Sequence, residues 1–397
     1  MWTGRHVVLG VSGGIAAYKS CFLARRLTEA GARVDAVLTA GAAEFVRPAT
    51  FEALTGRPVL TSLWEPGRAL DHIRLARDSD LVIVAPATAH LLARMALGLA
   101  DDALTALLLA RSGPVLVAPT MNDAMYAAPP TARNLALLRE RGIGIVGPAT
   151  GALAEGPSDQ PGRMSEPESI LHHAMRLLRN GGPLAGKRII VTAGPTREPL
   201  DPVRIVTNRS SGKMGFRLAQ AAWYRGANVH LITGPSAEPE PEGITLERID
   251  TTQELERAVA DVLPSADVLI MAAAPADYRP TNPGPVKRPR QDGGMHVEFE
   301  PTGDILAATR ERRKPGCLVV GFALETGDAI AKGRAKLERK ALDLIVVNDA
   351  LEPGAGFEVD TNRVTIVGKG GMQWELTLAS KASVAESILD RVEALLV

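Results

Sequence analysis

The sequence predicts an α/β protein with two doubly wound domains, each built on a parallel sheet. Short β-branched runs alternate with amphipathic stretches of helical length, which is typical of parallel strands covered by helices. The chain has 397 residues, which corresponds to two or three domains at roughly 100–200 residues each. A linker-like segment rich in glycine, residues 180–187, interrupts the alternation near the middle. We therefore expect one domain at 1–183 and a second at 184–397.

Five segments of the first half are expected to be strands, because apolar and β-branched residues dominate them. They are HVVLGVS from His6, RVDAVLT from Arg33, DLVIVAP from Asp80, PVLVAP from Pro114 and IGIVGP from Ile143. The helix after the first strand is expected to end at Gly31, since glycine commonly follows a helix C-terminus. Residues 151–168 contain too many Gly, Pro and Ser residues for a packed element, and the helix SILHHAMRLLRN follows them.

The same alternation restarts after the linker. The expected strands are KRIIVTAG, ANVHLIT, ADVLIMAA, CLVVGFA and DLIVVND. A hairpin-like pair, NRVTIVGK and GMQWELTL, precedes a last helix at KASVAESILDRVEALL. These segments indicate a second α/β domain.

The composition excludes several classes of protein. Lys+Arg and Asp+Glu number 45 each, so no net field attracts nucleic acid or an anionic membrane. The two cysteines, Cys21 and Cys317, are too few and too distant for a disulfide framework or a Cys-rich zinc site. No apolar run reaches the roughly 18 residues of a spanning helix, and the N-terminal segment lacks a signal-peptide pattern. We expect a cytoplasmic protein that binds neither nucleic acid nor membranes.

The turn after the first strand, GVSGGIAAYK, has the composition of a phosphate-binding turn. Gly13 and Gly14 let backbone amides approach an anion, and the following helix adds the positive end of its dipole. A tight turn without a ligand can have the same letters. They also fit the G-x-S-x-G elbow of hydrolases, with Ser12 as the nucleophile. The position after the first strand, and the lack of a convincing acid-then-histidine pair at later strand ends, argue against a hydrolase.

Small and polar residues also follow the next strands, at the sheet edge where open α/β sheets bind ligands. Thr39 follows the second strand and is a candidate to complete a phosphate pocket. The third strand ends in APAT, residues 85–88, whose small side chains leave room for a flat ring. Close helix packing would require the same small residues.

Two polar residues of the first half have both a functional and a structural interpretation. His72 lies in a polar stretch before the third strand, where a lone histidine is by default an exposed loop residue. Asn122 follows the fourth strand, and its amide offers a donor and an acceptor to a carboxylate. An asparagine in that position is equally a helix N-cap.

The most unusual segment of the second half is VTAGPTREPLDPVRIVTNRSSGKMG, residues 191–215. A strand ends in a Gly/Pro turn, a polar loop follows, and SSGKMG opens a helix whose N-terminus favours an anion. The order of a Walker A loop is absent. The residues that would face the anion are Asn208, Ser210, Ser211, Gly212 and Lys213.

Four charged residues further along the second half are also candidates. Asp277 closes a strand in AAAPADY and is a natural partner of a ribose hydroxyl or a base. Lys287, Lys336 and Lys340 could contact phosphate, although individual lysines are usually surface residues.

In their order along the chain, these motifs resemble a single family. They are GVSGGIAAYK, APAT, PTMNDAMY, PGRM, VTAGPTREPLDPVR, TNRSSGKMG, AAAPADY and KALDLIVVND. The chain resembles the bifunctional phosphopantothenoylcysteine decarboxylase / phosphopantothenate–cysteine ligase of bacterial coenzyme A biosynthesis. The resemblance covers nearly all of residues 5–390, and the TREPLDPVR…NRSSGKMG segment is highly specific.

For the first half, the resemblance implies a flavodoxin-like domain that binds FMN and decarboxylates phosphopantothenoylcysteine to 4′-phosphopantetheine. Flavin oxidises the thiol-bearing carbon to a thioaldehyde, carbon dioxide leaves as an enethiolate forms, and reduced flavin returns the electrons. His72 corresponds to the family's catalytic histidine, and Asn122 to the residue that holds the substrate carboxylate. Met125 and Arg163 correspond to further substrate contacts. The implied FMN contacts are Ser12, Gly13, Gly14, Thr39, Ala85, Pro86, Ala87 and Thr88.

The chain departs from the family at the proton donor. The family usually has a cysteine in an Ala-Cys-Gly segment before the GRM motif, whereas LAEGPSDQPGRM places Glu155 there. A carboxylic acid can deliver a proton when apolar surroundings raise its pKa. We expect Glu155 to be the proton donor. The alternative is a ligase whose first half is inactive or stops at the enethiol.

For the second half, the resemblance implies a Rossmann-like, CTP-dependent ligase. The carboxylate of 4′-phosphopantothenate attacks the α-phosphate of CTP, which gives an acyl-cytidylate and pyrophosphate, and the amine of cysteine then displaces CMP. Asn208 and Lys287 are the implied catalytic residues, and Asn208 holds the acyl-cytidylate. The run Lys287-Arg288-Pro289-Arg290 replaces the usual Lys-Ile-Lys-Lys, which keeps the charge but changes its geometry. The implied nucleotide contacts are Ala273, Asp277, Gly303, Asp304, Ile305, Leu306, Phe322, Lys336 and Lys340.

The metal and the assembly follow from the same resemblance. No Asp-rich cluster appears in the sequence, so Mg²⁺ is expected to be carried by the triphosphate, and its protein ligands are left unassigned. A homo-oligomer built from trimers and dimers, such as a dodecamer, is implied. Because decarboxylase sites of the family are completed between subunits, a monomer should be inactive as a decarboxylase.

Overall fold

The computed structural model of the chain describes residues 2–287, 295–325, 327–349 and 359–397. The chain divides into two compact units, Met1–Arg179 and Asn180–Val397. This division falls at the start of the glycine-rich segment, a few residues before the boundary expected from the sequence.

The first unit consists of five strands and the helices between them. The strands are β1 (His6–Val11), β2 (Arg33–Leu38), β3 (Leu81–Ala87), β4 (Val115–Pro119) and β5 (Gly144–Ile145). The helices are α1 (Ala17–Glu29), α2 (Ala40–Ala43), α3 (Pro48–Thr55), α4 (Asp71–Asp78), α5 (Ala89–Leu97), α6 (Ala103–Ala110), α7 (Asp123–Ala127), α8 (Pro129–Glu140) and α9 (Pro167–Arg179).

The sheet of the first unit is parallel, with the strand order β2-β1-β3-β4-β5. This is the flavodoxin-like order, and it leaves a crevice at the carboxyl ends of β1 and β3, where the order reverses. Every residue of these two strands is buried, because helices cover both faces of a parallel sheet. The predicted α/β fold is confirmed for this unit, although β5 is shorter than its predicted segment.

The second unit contains twelve described strands and five described α-helices. The strands are β6 (Arg188–Ala193), β7 (Arg197–Pro199), β8 (Ile205–Thr207), β9 (Asn228–Thr233), β10 (Thr245–Arg248), β11 (Val268–Met271), β12 (Tyr278–Pro280), β13 (Phe299–Pro301), β14 (Leu318–Glu325), β15 (Leu344–Asp349), β16 (Thr361–Gly368) and β17 (Gln373–Ser380). The helices are α10 (Lys213–Tyr224), α11 (Thr252–Val262), α12 (Ile305–Ala308), α13 (Ala329–Arg339) and α14 (Lys381–Leu396), with 3₁₀ turns at Leu263–Ser265, Arg310–Arg312 and Lys369–Gly371.

The main sheet of the second unit is mixed, in the order β10-β9-β6-β11-β14-β15-β16-β17. Its first six strands are parallel and have the Rossmann order 3-2-1-4-5-6 when counted along the chain, with the reversal between β6 and β11. The predicted hairpin forms β16 and β17, which extend the parallel sheet in antiparallel fashion. The α/β class is therefore confirmed, and the second sheet is not purely parallel.

Two short antiparallel hairpins, β7–β8 and β12–β13, stand apart from the main sheet of this unit. Among the described residues of the chain, no helix has both the length and the apolar character needed to cross a membrane.

Candidate active sites

The first unit has a cavity of about 930 Å³ at the carboxyl ends of its strands. It lies at the reversal of strand order, where open α/β sheets bind their ligands. The cavity wall includes nine residues that the sequence analysis singled out: Ser12, Gly13, Gly14, Thr39, Thr88, Asn122, Met125, Glu155 and Arg163.

Hydrogen bonds of the Ser12 side chain connect the end of β1 to the end of β3. Its Oγ donates to the carbonyl oxygen of Pro86 at 2.8 Å and accepts from the backbone N–H of Thr88 at 3.0 Å. Thr88 in turn caps α5, because its Oγ1 accepts from the N–H of Leu91. A serine with its hydroxyl held by two backbone groups is a structural part of a turn, which counts further against the nucleophile elbow.

Gly13 allows two loops to approach each other at the cavity floor. A Cβ on this residue would lie 2.7 Å from the carbonyl carbon of Gly41, whereas a Cβ on Gly14 would meet only the Thr88 methyl group, at 3.6 Å. Thr39 begins the second loop and caps α2 through its Oγ1. The glycine turn therefore has a packing reason at Gly13, and at Gly14 it leaves backbone open to the cavity.

The APAT segment contributes to the cavity less than the sequence suggested. Ala85, Pro86 and Ala87 belong to the buried strand β3 and do not line the cavity. Their part in the site is indirect, since the carbonyl oxygen of Pro86 holds Ser12.

Asn122 brings the segment around Glu155 to the mouth of this cavity. Its Oδ1 accepts from the backbone N–H groups of Ala124 and Met125, so it is the N-cap of α7. Its Nδ2 donates to Oε1 of the exposed Glu155. Both interpretations of Asn122 are thus compatible: one side of the amide caps a helix and the other faces the cavity.

The PGRM segment is anchored by a lysine that the sequence analysis did not single out. Lys19 is almost fully buried in α1, and its Nζ donates to the carbonyl oxygen of Met164 at 3.3 Å and to Glu166 at 2.8 Å. Glu166 also accepts from Arg163 at 2.8 Å. The ion pairs with these two cations lower the pKa of Glu166. Arg163 is therefore tied to the start of α1, next to the glycine turn.

His72 is the one predicted catalytic residue of the first unit that does not line its cavity. It lies in the first turn of α4, not in a loop, and is partly buried. Among the described residues, its Nδ1 has no hydrogen-bond partner although that atom is buried.

The second unit has its own cavity of about 510 Å³, again at the reversal of strand order. The ten residues other than Lys287 that the family resemblance assigns to the second half all line it: Asn208, Ala273, Asp277, Gly303, Asp304, Ile305, Leu306, Phe322, Lys336 and Lys340. They come from five separate stretches of the chain. Lys287 is exposed and outside the wall, and residues 288–290 of the same run lie outside the described residues.

Asn208 joins the two sides of this cavity. Its Nδ2 donates to the carbonyl oxygens of Ala274 and Pro275, at 3.2 and 3.0 Å. The turn at residues 210–213 then leads into α10, and it lines the cavity as well. The amide of Asn208 is thereby fixed beside the N-terminus of a twelve-residue helix, where an anion is favoured.

Lysines dominate the charge of the same cavity. The Nζ of Lys336 donates to the carbonyl oxygen of Phe322 at 3.2 Å, and Lys340 forms an ion pair with Asp304 at 3.1 Å. Burial, with a contribution from Lys340, lowers the pKa of Lys336. Lys213 and Lys381 line the cavity too. The part of the wall that the structure describes therefore contains four lysines but only two carboxylates, those of Asp277 and Asp304.

The wall also contains residues that the sequence did not indicate as site residues, among them Asn348, Asn362 and Lys381. Asn348 is the penultimate residue of the motif KALDLIVVND, and its place in that motif was the available signal. Asn362 and Lys381 belong to the hairpin and the last helix, where nothing in the sequence distinguishes them from other polar residues. Among the described residues, no group of three or more His, Cys, Asp or Glu side chains is placed to hold a metal ion.

Comparison with known families agrees with these two units. The family described as "Flavoprotein" matches residues 1–179, and the family described as "DNA/pantothenate metabolism flavoprotein C-terminal domain" matches residues 184–396. The class of protein is thus a flavoprotein domain followed by a pantothenate-metabolism domain.

Relatives match the whole chain. The coenzyme A biosynthesis bifunctional protein CoaBC of Mycobacterium tuberculosis is 45% identical over 98% of this chain and 96% of its own length. The CoaBC protein of Bacillus subtilis is 44% identical over 100% and 98%. A crystal structure of the C-terminal domain of a CoaBC protein is 39% identical, covers 54% of this chain and 98% of that one, and has a TM-score of 0.46. The chain belongs to the CoaBC family of bifunctional coenzyme A biosynthesis proteins.

Proposed function

We propose that this chain is a bifunctional enzyme of coenzyme A biosynthesis. Its second unit would join cysteine to 4′-phosphopantothenate at the expense of CTP, and its first unit would decarboxylate the product with FMN. The observation that carries this proposal is that each unit has its own cavity at a strand reversal. Residues that the family resemblance assigns to each reaction line the corresponding cavity, with His72 and Lys287 as the exceptions among those proposed to act chemically.

The first cavity fits FMN. It is a cleft of about 930 Å³ whose floor is a glycine turn that side chains could not occupy at Gly13. Thr88 and Thr39 would hold the phosphate end together with the backbone around Gly14, and Ser12 would contribute by fixing the turn to the end of β3. When bound, FMN supplies the two-electron acceptor that makes loss of a carboxylate possible.

The residues at the mouth of this cavity would act on the substrate. Asn122 is fixed by its helix cap, so its Nδ2 can donate to the substrate carboxylate in place of Glu155. Glu155 would then be released and could protonate carbon as the acid. Glu166 accepts hydrogen bonds from both Lys19 and Arg163 and so fixes Arg163, whose guanidinium group would face the substrate.

We further propose that His72 serves the cavity of a neighbouring subunit. It does not line the cavity of its own chain, and an unpartnered buried nitrogen is costly in an isolated chain. Large apolar side chains are exposed on α1 and beside it, at Ile15, Tyr18 and Phe22, and the first two also line the cavity. These features support self-association, and the assembly that we propose from the family resemblance is a homo-oligomer built from trimers and dimers, such as a dodecamer.

In the second cavity, Asn208 would hold the acyl-cytidylate, and Lys336 and Lys340 would neutralise phosphate charge. Lys340 would exchange its partner Asp304 for the nucleotide. We propose that Mg²⁺ is bound mainly by the triphosphate, since no carboxylate cluster for a metal exists among the described residues. We place the enzyme in the cytoplasm, because CTP and phosphate esters are too polar to cross a membrane unaided.

One alternative keeps the ligase and changes the first unit. Glu155 stands where the family usually has a cysteine, and it is exposed. A first unit that binds FMN without completing the reduction would stop at the enethiol.

The deciding experiment incubates the purified protein with 4′-phosphopantothenate, cysteine, CTP and Mg²⁺ and weighs the products. We expect a yellow protein with one FMN per chain, and 4′-phosphopantetheine together with CMP and pyrophosphate. Accumulation of the enethiol, or of phosphopantothenoylcysteine, would support the alternative. Absence of CMP would refute the ligase. A colourless protein that takes up no FMN would refute the decarboxylase.

A further inference from the structure

One side of the second unit's cavity carries three buried polar residues that the proposed function leaves without a task. Asn348, Asn362 and Lys381 are exposed to only 8, 3 and 4% and all line the cavity. A buried polar group costs folding free energy where it lacks a hydrogen-bond partner, so polar side chains in a cavity wall are candidates to bind a polar ligand.

Asn348 and Asn362 are hydrogen-bonded to each other, and Lys381 follows the strand that pairs with Asn362. The Nδ2 of Asn348, near the end of β15, donates to Oδ1 of Asn362 at 2.7 Å. Asn362 pairs with Ala379 across β16 and β17, and Lys381 begins α14 two residues later. The N–H of Lys381 donates to the carbonyl oxygen of Asp360, whose carboxylate pairs with Lys213 at 2.6 Å. This series of contacts therefore reaches from the sheet to the start of α10.

Asn348 presents an unsatisfied acceptor to the cavity. Within the described part of the chain, its buried Oδ1 has no hydrogen-bond partner. In this arrangement Nδ2 of the same amide donates to Asn362, and Oδ1 is the atom left without a partner. A ligand group that donates an N–H or O–H would satisfy this oxygen.

The surroundings of Lys381 disfavour the charged form of its side chain. Its side chain is buried, and it occupies the first position of α14, next to the positive end of the helix dipole. Burial, reinforced by Lys213, lowers the pKa of Lys381 to about 8, against the opposing effect of Asp360 and Glu238. A ligand anion beside this ammonium group would stabilise its charged form.

A ligand that complements both groups therefore brings an N–H or O–H donor and an anion. A phosphate group alone would suit Lys381 but would set its oxygens against the carbonyl oxygen of Asn348. An α-amino acid carries an amine and a carboxylate on one carbon and complements both groups. We propose that Asn348, Asn362 and Lys381 form the subsite for the amino-acid substrate of the ligase: Asn348 accepts from its amine and Lys381 binds its carboxylate.

This inference rests on the proposed ligase activity and assigns the position of its second substrate. With one N–H held by Asn348, the lone pair of the amine is free to point toward the acyl group held at Asn208. No protein base is needed for the neutral amine to be present, because free α-amino groups have pKa values of roughly 8.

The test separates the two half-reactions in the full-length protein. Pyrophosphate release from CTP and 4′-phosphopantothenate without cysteine reports the acyl-cytidylate, and the KM for cysteine is then measured with both other substrates saturating. We expect Asn348→Ala and Lys381→Met to raise the KM for cysteine at least tenfold, with pyrophosphate release changed less than twofold. Lys381→Arg should recover part of the loss. Lys332→Met, at an exposed position of α13 outside the cavity, is the matched control.

A substrate analogue tests the carboxylate contact without depending on variant folding. Cysteamine is cysteine without its carboxylate, so the wild-type protein should use it at least tenfold less efficiently, and Lys381→Met should largely abolish this preference. Equal use of both amines by the wild-type protein would overturn the contact. A raised KM for CTP with an unchanged KM for cysteine would overturn it as well, because Lys381 would then be a nucleotide residue. A wild-type protein without pyrophosphate release would refute the ligase activity itself.

Discussion

At the scale of single residues, Glu155 decides what the first unit produces. A free glutamic acid is ionised at neutral pH, so this side chain can act as an acid only when substrate and the segment around it exclude water. In the structure it is exposed and accepts from Asn122. The substrate carboxylate would compete for the same amide, and this competition would free the Glu155 carboxyl group.

We expect Glu155→Gln to bind FMN normally and to release the oxidised enethiol in place of 4′-phosphopantetheine. The amide of glutamine is not acidic enough to protonate the carbon of the enethiol. Mass spectrometry of the product and the absorbance of the flavin after turnover measure the effect. Asp159→Asn, at an exposed residue of the same segment outside the cavity, is the control. Complete turnover by Glu155→Gln would show that another group or water supplies the proton.

Lys381 gives a residue-scale prediction that concerns stability. Its pKa in the folded chain is about 8, below the ordinary 10.5, so the charged form opposes folding fully below pH 8 and progressively less up to pH 10.5. Lys381→Met should therefore stabilise the ligand-free protein by about 1–3 kcal/mol at pH 7, and this gain should shrink at pH 10. Calorimetric unfolding at both pH values measures it, with Lys332→Met as the control. Destabilisation at pH 7, or a gain that grows with pH, would contradict the argument.

The site residues differ in how far the sequence could reveal them. Turns such as GVSGG and SSGKMG can be recognised in the sequence, because glycine and hydroxyl residues cluster there directly before a helix, where an anion is favoured. Asn348 and Lys381 cannot be recognised in this way. They reach the same cavity wall only because β15 pairs with β16, and β17 leads into α14. His72 is a third case. Its position in the sequence corresponds to the family's catalytic histidine, yet it does not line the cavity of its own chain.

At the scale of elements, the long buried strands were predictable and the short ones were not. β3, and β1 after His6, are continuous apolar runs with both faces covered. The strands of β7–β8 and β12–β13 have three residues each, too few for any alternation to show. The hairpin β16–β17 was visible as a hairpin, but its pairing with β15 depends on tertiary packing.

The glycine turn after β1 yields a prediction with a neighbouring control. In Gly13→Ala the new methyl group would lie 2.7 Å from the backbone of Gly41, so the two loops must separate. We expect a loss of about 1–3 kcal/mol in the stability of the FMN-free protein, and weaker retention of FMN. Gly14→Ala meets only a methyl group at 3.6 Å and should leave the FMN-free stability within experimental error. Equal thermal stability of the two FMN-free variants would contradict the close approach of these loops.

At the scale of the whole molecule, two cavities in two compact units predict that the two activities can be lost separately. Asn208→Asp places a negative charge where the acyl-cytidylate would lie, and should abolish ligation while supplied phosphopantothenoylcysteine is still decarboxylated. His72→Asn should give the reverse result. Both activities are measured on each purified variant. Parallel loss of both in a well-folded variant would refute the assignment of one activity to each unit.

The position of His72 outside its own cavity makes the assembly testable through mixed oligomers. Asn122→Asp keeps the helix cap but repels the substrate carboxylate, so it and His72→Asn should each lack decarboxylase activity. If His72 acts in the cavity of a neighbouring subunit, an active site can combine Asn122 of a His72→Asn chain with His72 of an Asn122→Asp chain. In a random equal mixture, about a quarter of the sites would then have both residues intact, and co-expression of two differently tagged variants should restore about that share of wild-type activity. Inactive mixed oligomers, isolated through both tags, would show that His72 does not act on a neighbouring subunit.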